Sequence, residues 1–213
     1  MNQIYAVFPK IIQKFKFDGD NEHLKNTVNG IKNFTSSNVD AKSVGFNFLH
    51  EHAHKYDIVQ EFLSFTEEKA FEFMNKTLQY DLHGEGILCT NSWVNYQEDV
   101  NSFMPPHIHT NAFVCSNYFL NYTKEVHAPL VFVDNKDISH VPFITQNKIN
   151  DQTSAGNFDA FVVDANEGDI VFWTSELYHF VPHSSHRNRV TIAQNYMPVI
   201  VNNRGYSYKV SII

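Results

Sequence analysis

The hydrophobic pattern of this chain changes period once, at Gly84-Glu-Gly86, and that change limits the fold more than any other feature. Before it, apolar residues recur at helical spacing. Leu24, Val28 and Ile31 form one stripe within 20–32. Phe62, Phe65, Ala70, Phe71, Met74 and Leu78 form another within 57–78, with a possible restart of the helix at Thr66. Ile4–Phe8, ahead of Pro9, reads as a short strand. After the change the period is two, over Ile87–Tyr96, Ala112–Asn121, Leu130–Val133, Ala160–Val163, Asp169–Thr174 and Arg189–Met197. Turn residues separate these segments, as at Asn166-Glu-Gly168 and His183-Ser-Ser185. Helices followed by antiparallel strands predict an α+β chain. Residues 85–200 would form a jelly roll, and the helical part, 1–84, would pack on one of its sheets within a single domain. The polar segment Ser139–Phe158 lacks periodicity and reads as a long loop or lid.

Composition narrows the partners. The net charge is −7 and the 16 Lys and Arg are scattered, so no general basic field for nucleic acid exists. No apolar run is long enough to cross a membrane, and the N-terminus lacks a secretory pattern. Two cysteines without CxxC spacing, Cys89 and Cys115, fit reduced, buried thiols in a cytoplasmic protein.

The chemistry-bearing residues cluster in the strand-rich half. Pro105-Pro106 pushes the following chain extended, so His107 and His109, two apart, face the same way and can share one metal. His179 ends an apolar strand and supplies a third imidazole. Three protein ligands leave coordination positions open, which suits chemistry more than structural support. Ten residues on, Arg189 and Thr191 share one face of a strand. A buried arginine needs an anion, either a carboxylate such as Asp169 or Glu176 or that of a bound ligand.

Six blocks in order carry a resemblance: Asn91-Ser-Trp-Val-Asn95, Pro106-His107-Ile-His109, Ser116-Asn-Tyr-Phe-Leu120, Glu167-Gly-Asp-Ile-Val-Phe172, Leu177-Tyr-His179 and Arg189-Val-Thr-Ile-Ala-Gln-Asn195. Over about 85–198 the chain resembles the iron(II)- and 2-oxoglutarate-dependent oxygenases, and more narrowly a subfamily from tailed phages and marine bacteria. The resemblance implies a double-stranded β-helix with His107 and His179 on iron(II), and with Arg189 and Thr191 on the distal carboxylate of 2-oxoglutarate. It implies hydroxylation with dioxygen, releasing succinate and carbon dioxide, inside a bacterial or phage-infected cell. Asn95 and Tyr118 are candidate hydrogen-bond donors to the co-substrate. The ten-residue spacing from His179 to Arg189 suits two hairpin-linked strands. Where most of the superfamily carries Asp or Glu two residues after the first histidine, this chain has His109.

Several alternatives stay open at this stage. His109 can be the third ligand, can stand beside the metal, or can belong to a zinc centre of hydrolytic type. A cupin also uses HxH, but its usual following Glu is replaced here by Ala112 and Phe113. A non-catalytic phage interaction protein with a residual metal site is a further reading. The substrate, small or macromolecular, is unassigned, and a homodimer is left open. His50-Glu-His52-Ala-His54 reads as loop and solvated, and His183 and His186 compete with His179 for the distal position.

Overall fold

Strand alternation after residue 86 builds two facing sheets. The computed structural model describes residues 10–35, 43–44, 48–82, 84–133, 160–203 and 205–211. Strands β3 (Ile87–Gln97), β5 (Val114–Asn121), β8 (Asp169–Thr174) and β10 (Arg189–Pro198) lie in one sheet, and β4 (Met104–His107), β6 (Val131–Val133), β7 (Ala160–Val162) and β9 (His179–Val181) in the other. All pairings are antiparallel. The chain therefore crosses between sheets repeatedly, which is the wiring of a jelly roll.

The larger sheet is extended by β1 (Ile12–Lys16) beside β8 and by β2 (Ser43–Val44) beside β3, giving the order β1-β8-β5-β10-β3-β2. β11 (Ile200–Asn203) and β12 (Tyr206–Lys209) form a separate ribbon. β1 escaped the sequence reading because its two apolar residues, Ile12 and Phe15, stand three apart and break the period of two. Lys14 and Lys16 reach over to Asp169 at 3.2 and 3.7 Å.

Helices cover the outer face of the larger sheet, as expected. In α1 (Asn21–Thr35), Leu24, Val28 and Ile31 are buried, and Asp20 caps the start by accepting the His23 backbone N–H at 2.9 Å. α3 (Asp57–Glu72) runs without the break expected at Thr66, whose hydroxyl donates back to Leu63 O at 3.0 Å. It ends in a π-helical turn over Phe73–Thr77. The wider turn carries Phe73 and Met74 into the core, while Phe71, expected inside, is 37% exposed. The segment read as loop around His50 is instead a short helix, α2 (Phe48–Ala53), anchored by the fully buried Leu49.

Two cores result. One joins helices to sheet through Phe17, Phe62, Phe73, Tyr118, Ile170, Phe172 and Ile192; the other fills the space between the sheets through Cys115, Phe119, Val171, Trp173, Phe132 and Val181. Among the described residues no helix is long and apolar enough to cross a membrane. The expected strand at Ile4–Phe8 and the lid at Ser139–Phe158 lie outside the described residues.

Candidate metal centre

The pairing of β4 with β9 sets His107 directly opposite His179. His109 follows just beyond β4, where its backbone N–H donates to Ser175 O at 3.1 Å. The three ring centroids are 4.3 to 5.2 Å apart, and one nitrogen from each ring lies within 4.8 Å of the others. Trp93 stacks on His109 at 5.7 Å, and Trp173 meets His179 edge-on at 4.7 Å, so aromatic rings wall the group.

The hydrogen bonds behind the rings settle which nitrogens face the centre. His107 Nδ1 donates to Pro105 O at 2.9 Å, His179 Nδ1 to Leu177 O at 3.0 Å, and His109 Nδ1 to Asn195 Oδ1 at 2.7 Å. Each acceptor holds a proton on Nδ1 and leaves Nε2 as a free lone pair, the arrangement in which histidine binds a metal. His109 is oriented by the same device as the other two. Asn195 is itself buried and donates to Asn111 Oδ1 at 3.3 Å. Sequence reasoning gave Asn195 no role, although the i+2 alternation from Arg189 already places it on the same face.

Burial favours the neutral form of His109 and His179. It pushes His179 down to about 3, against the weaker opposing effect of its bond to Leu177 O. His109 is lowered by burial first, partly offset by its bond to Asn195. The unfolded chain binds a proton near pH 6.5 where folded His179 does not, so stability is full above about 6.5 and falls as pH drops towards about 3. Between pH 7 and 5 the metal-free protein is expected to lose about 2 kcal/mol more than its His179→Gln variant, read from urea midpoints. Equal losses would show that His179 titrates normally.

Arg189 lies on the inner face of β10, 2% exposed. Its Nη1 donates to Thr191 Oγ1 at a long 3.5 Å, and Nε and Nη2 have no acceptor among the described residues. The carboxylates considered from sequence are engaged elsewhere, Asp169 with Lys14 and Lys16, and Glu176 with Lys10 and Thr174. Phe119 and Tyr122 rings, each centred 5.9 Å from the guanidinium carbon, add weak cation–π contacts. Burial lowers its pKa to about 10, which still leaves it charged at neutral pH. Asn95 pairs with Thr191 across β3 and β10 and is buried.

Two expectations need correction. Tyr118 does not face the inner wall: it is fully buried in the helix-side core, and its hydroxyl donates to Asn21 Oδ1 at 2.5 Å. β9 and β10 are not hairpin partners either. β9 pairs with β4 and β6, and β10 with β3 and β5, so His179 and Arg189 stand on facing sheets. The competing histidines lie apart from the group. His183 donates to Asn101 O at 3.1 Å and packs on Phe103, and His186 contacts Ser185. His50 meets Ser92 Oγ at 3.1 Å on the outer side of the sheet.

A jelly roll with three inward imidazoles has a group that could hold a metal ion, and the buried arginine beside it has no anion among the described residues. Residues 91–195 match the family model described as "Putative 2OG-Fe(II) oxygenase", a span that contains every residue of this site. Residues 91–195 thus carry a domain of the 2OG-Fe(II) oxygenases. Solved structures of like fold include AviO1 from Streptomyces viridochromogenes Tue57, at 16% identity over 88% of this chain and 90% of that one, TM-score 0.56. A Pseudomonas putida prolyl-4-hydroxylase matches at 10% identity over 88% and 92%, TM-score 0.55. EctD from S. alaskensis, in a structure with 2-oxoglutarate and 5-hydroxyectoine, matches at 11% identity over 90% and 73%, TM-score 0.58. No curated protein matches the sequence.

Proposed function

We propose that this chain is an iron(II)- and 2-oxoglutarate-dependent dioxygenase in which His107, His109 and His179 hold the metal. The observation that carries the reading is Arg189, a buried guanidinium without an anion, on the wall facing three imidazoles that all present Nε2. An unpaired buried charge costs several kcal/mol, and a dicarboxylate that reaches from metal to arginine removes that cost. Iron(II) bound there, together with 2-oxoglutarate and dioxygen, supplies oxidative decarboxylation to succinate and carbon dioxide coupled to hydroxylation of a substrate C–H bond.

The protein's part is positioning and exclusion of water. Arg189 and Thr191 grip the distal carboxylate, and Asn95 offers an amide beside them. Carbonyl oxygens of Pro105 and Leu177 and the amide of Asn195 keep the ligand tautomers fixed. Trp93, Phe132 and Trp173 keep bulk water from the rings. Three neutral histidines leave the centre one unit more positive than two histidines and a carboxylate, which favours an anionic co-substrate. A cytoplasmic setting accords with the two free, buried cysteines.

The test is product formation. Protein supplied with iron(II), 2-oxoglutarate and air should release succinate slowly even without substrate, and the His179→Ala variant should release none. Absence of succinate from metal-loaded wild type would refute the proposal.

A further inference from the structure

Besides Arg189, two side chains on the inner wall of the larger sheet keep a buried N–H without an acceptor among the described residues: Asn117 through Nδ2 and Trp173 through Nε1. They are 6% and 2% exposed. Asn117 faces inward because its i±2 neighbours Cys115 and Phe119 belong to the core between the sheets, whereas Tyr118 and Leu120 belong to the helix side. Trp173 pairs with Cys115 across β8 and β5, which makes Asn117 its diagonal neighbour, about 7–8 Å away. Both can therefore address one small group.

Their place in the sandwich identifies that group. The Trp173 ring touches His179. Asn117 pairs with Ala193 of β10, midway on the inner face between Thr191 and Asn195, and Asn195 holds His109. Ala193 projects only a methyl group, which leaves room above the sheet. From the metal end to Arg189 the wall thus offers Trp173, Asn117 and then the guanidinium, each with an N–H awaiting an acceptor. Gln97 Oε1, an orphan acceptor, sits at the far end, at the register position of Arg189. A ligand with oxygens at both ends satisfies all three donors at once.

We infer that Asn117 and Trp173 form an oxygen-binding subsite that receives the 2-oxo acid end of 2-oxoglutarate, opposite the Arg189 end. The inference rests on the 2-oxoglutarate reading above and adds two binding residues to it. It also divides the ligand's recognition along one wall, β8 and β5 at the metal end and β10 at the distal end.

Calorimetric titration of nickel(II)-loaded protein with 2-oxoglutarate, pyruvate and glutarate separates the two ends. Trp173→Phe keeps the ring and removes the N–H; Asn117→Ala tests the same subsite from another strand. Each should weaken 2-oxoglutarate and pyruvate by about fivefold to tenfold, leave glutarate alone, and leave nickel affinity within twofold. Arg189→Met should do the converse, losing 2-oxoglutarate and glutarate and keeping pyruvate. Wild-type affinities in both subsite variants, or equal loss of all three ligands, would overturn the assignment. Wild type that takes nickel and refuses 2-oxoglutarate would instead sink the underlying reading, a distinguishable failure.

Discussion

Replacing Arg189 with methionine should make the metal-free protein more stable while destroying its affinity for 2-oxoglutarate. Truncating a buried ion pair ordinarily costs about 3–5 kcal/mol, because the partner is left behind uncompensated. Here the uncompensated charge is already present, since the guanidinium is 2% exposed with two of its nitrogens unbonded. Two aromatic rings at 5.9 Å lie at the outer limit of useful cation–π distance and repay only part of the desolvation. Methionine fills similar volume without charge, so a gain of about 1–3 kcal/mol is expected. In a protein of this size that is a rise in Tm of several degrees. The same change removes a charge-assisted, two-pronged contact, and 2-oxoglutarate affinity should fall by about a hundredfold or more. Metal affinity should stay within twofold. A destabilised variant would mean that the guanidinium is already paired inside the protein, and the anion subsite would lose its basis.

The second large effect concerns His109, the position where this chain departs from the usual carboxylate. His109→Ala should lower metal affinity by about a hundredfold or more, since it removes one of three ligands. His109→Asp should retain the metal and bind it more tightly than Ala, because an anionic ligand offsets part of the ion's charge. Asn195→Ala keeps the ligand and frees its tautomer, so it should fall between, about tenfold to a hundredfold weaker than wild type. The ordering wild type, Asn195→Ala, His109→Ala is the signature of a ligand held from behind. Competition with a coloured chelator measures it. Equal affinities across the series would place His109 outside the coordination sphere.

How much of this was legible beforehand depended on how the strands are buried. β10 is buried on both sides, yet its first four residues, Arg-Val-Thr-Ile, alternate polar with apolar, so Arg189 and Thr191 could be put on one face from sequence. β5 is buried as fully from Val114 to Leu120, because helices cover one face of the sheet and the second sheet covers the other, but its residues Ser116, Asn117 and Tyr118 follow one another without alternation. A strand buried on both sides need not show a polar-apolar phase. The sequence reading therefore chose Tyr118, while Asn117, the residue before it, carries an orphaned donor on the inner wall. The histidines at 107 and 109 were recoverable because Pro105-Pro106 fixes the local conformation. Their convergence with His179 was recoverable only through resemblance, since it arises from the long-range pairing of β4 with β9. The crossing from β9 to β10 between sheets was invisible for a related reason: a ten-residue spacing serves a hairpin and a crossing equally well.

The most direct test of the whole account is spectroscopic. Iron(II)-loaded protein, kept free of oxygen, is titrated with 2-oxoglutarate while its visible absorption is followed. Chelation of the metal by the 2-oxo acid should produce a broad charge-transfer band that saturates with one equivalent of co-substrate, disappears in His179→Ala, and requires far more co-substrate in Arg189→Met. A protein that binds iron(II) yet gives no band at saturating 2-oxoglutarate would contradict the claim that the three histidines and Arg189 serve one ligand between them.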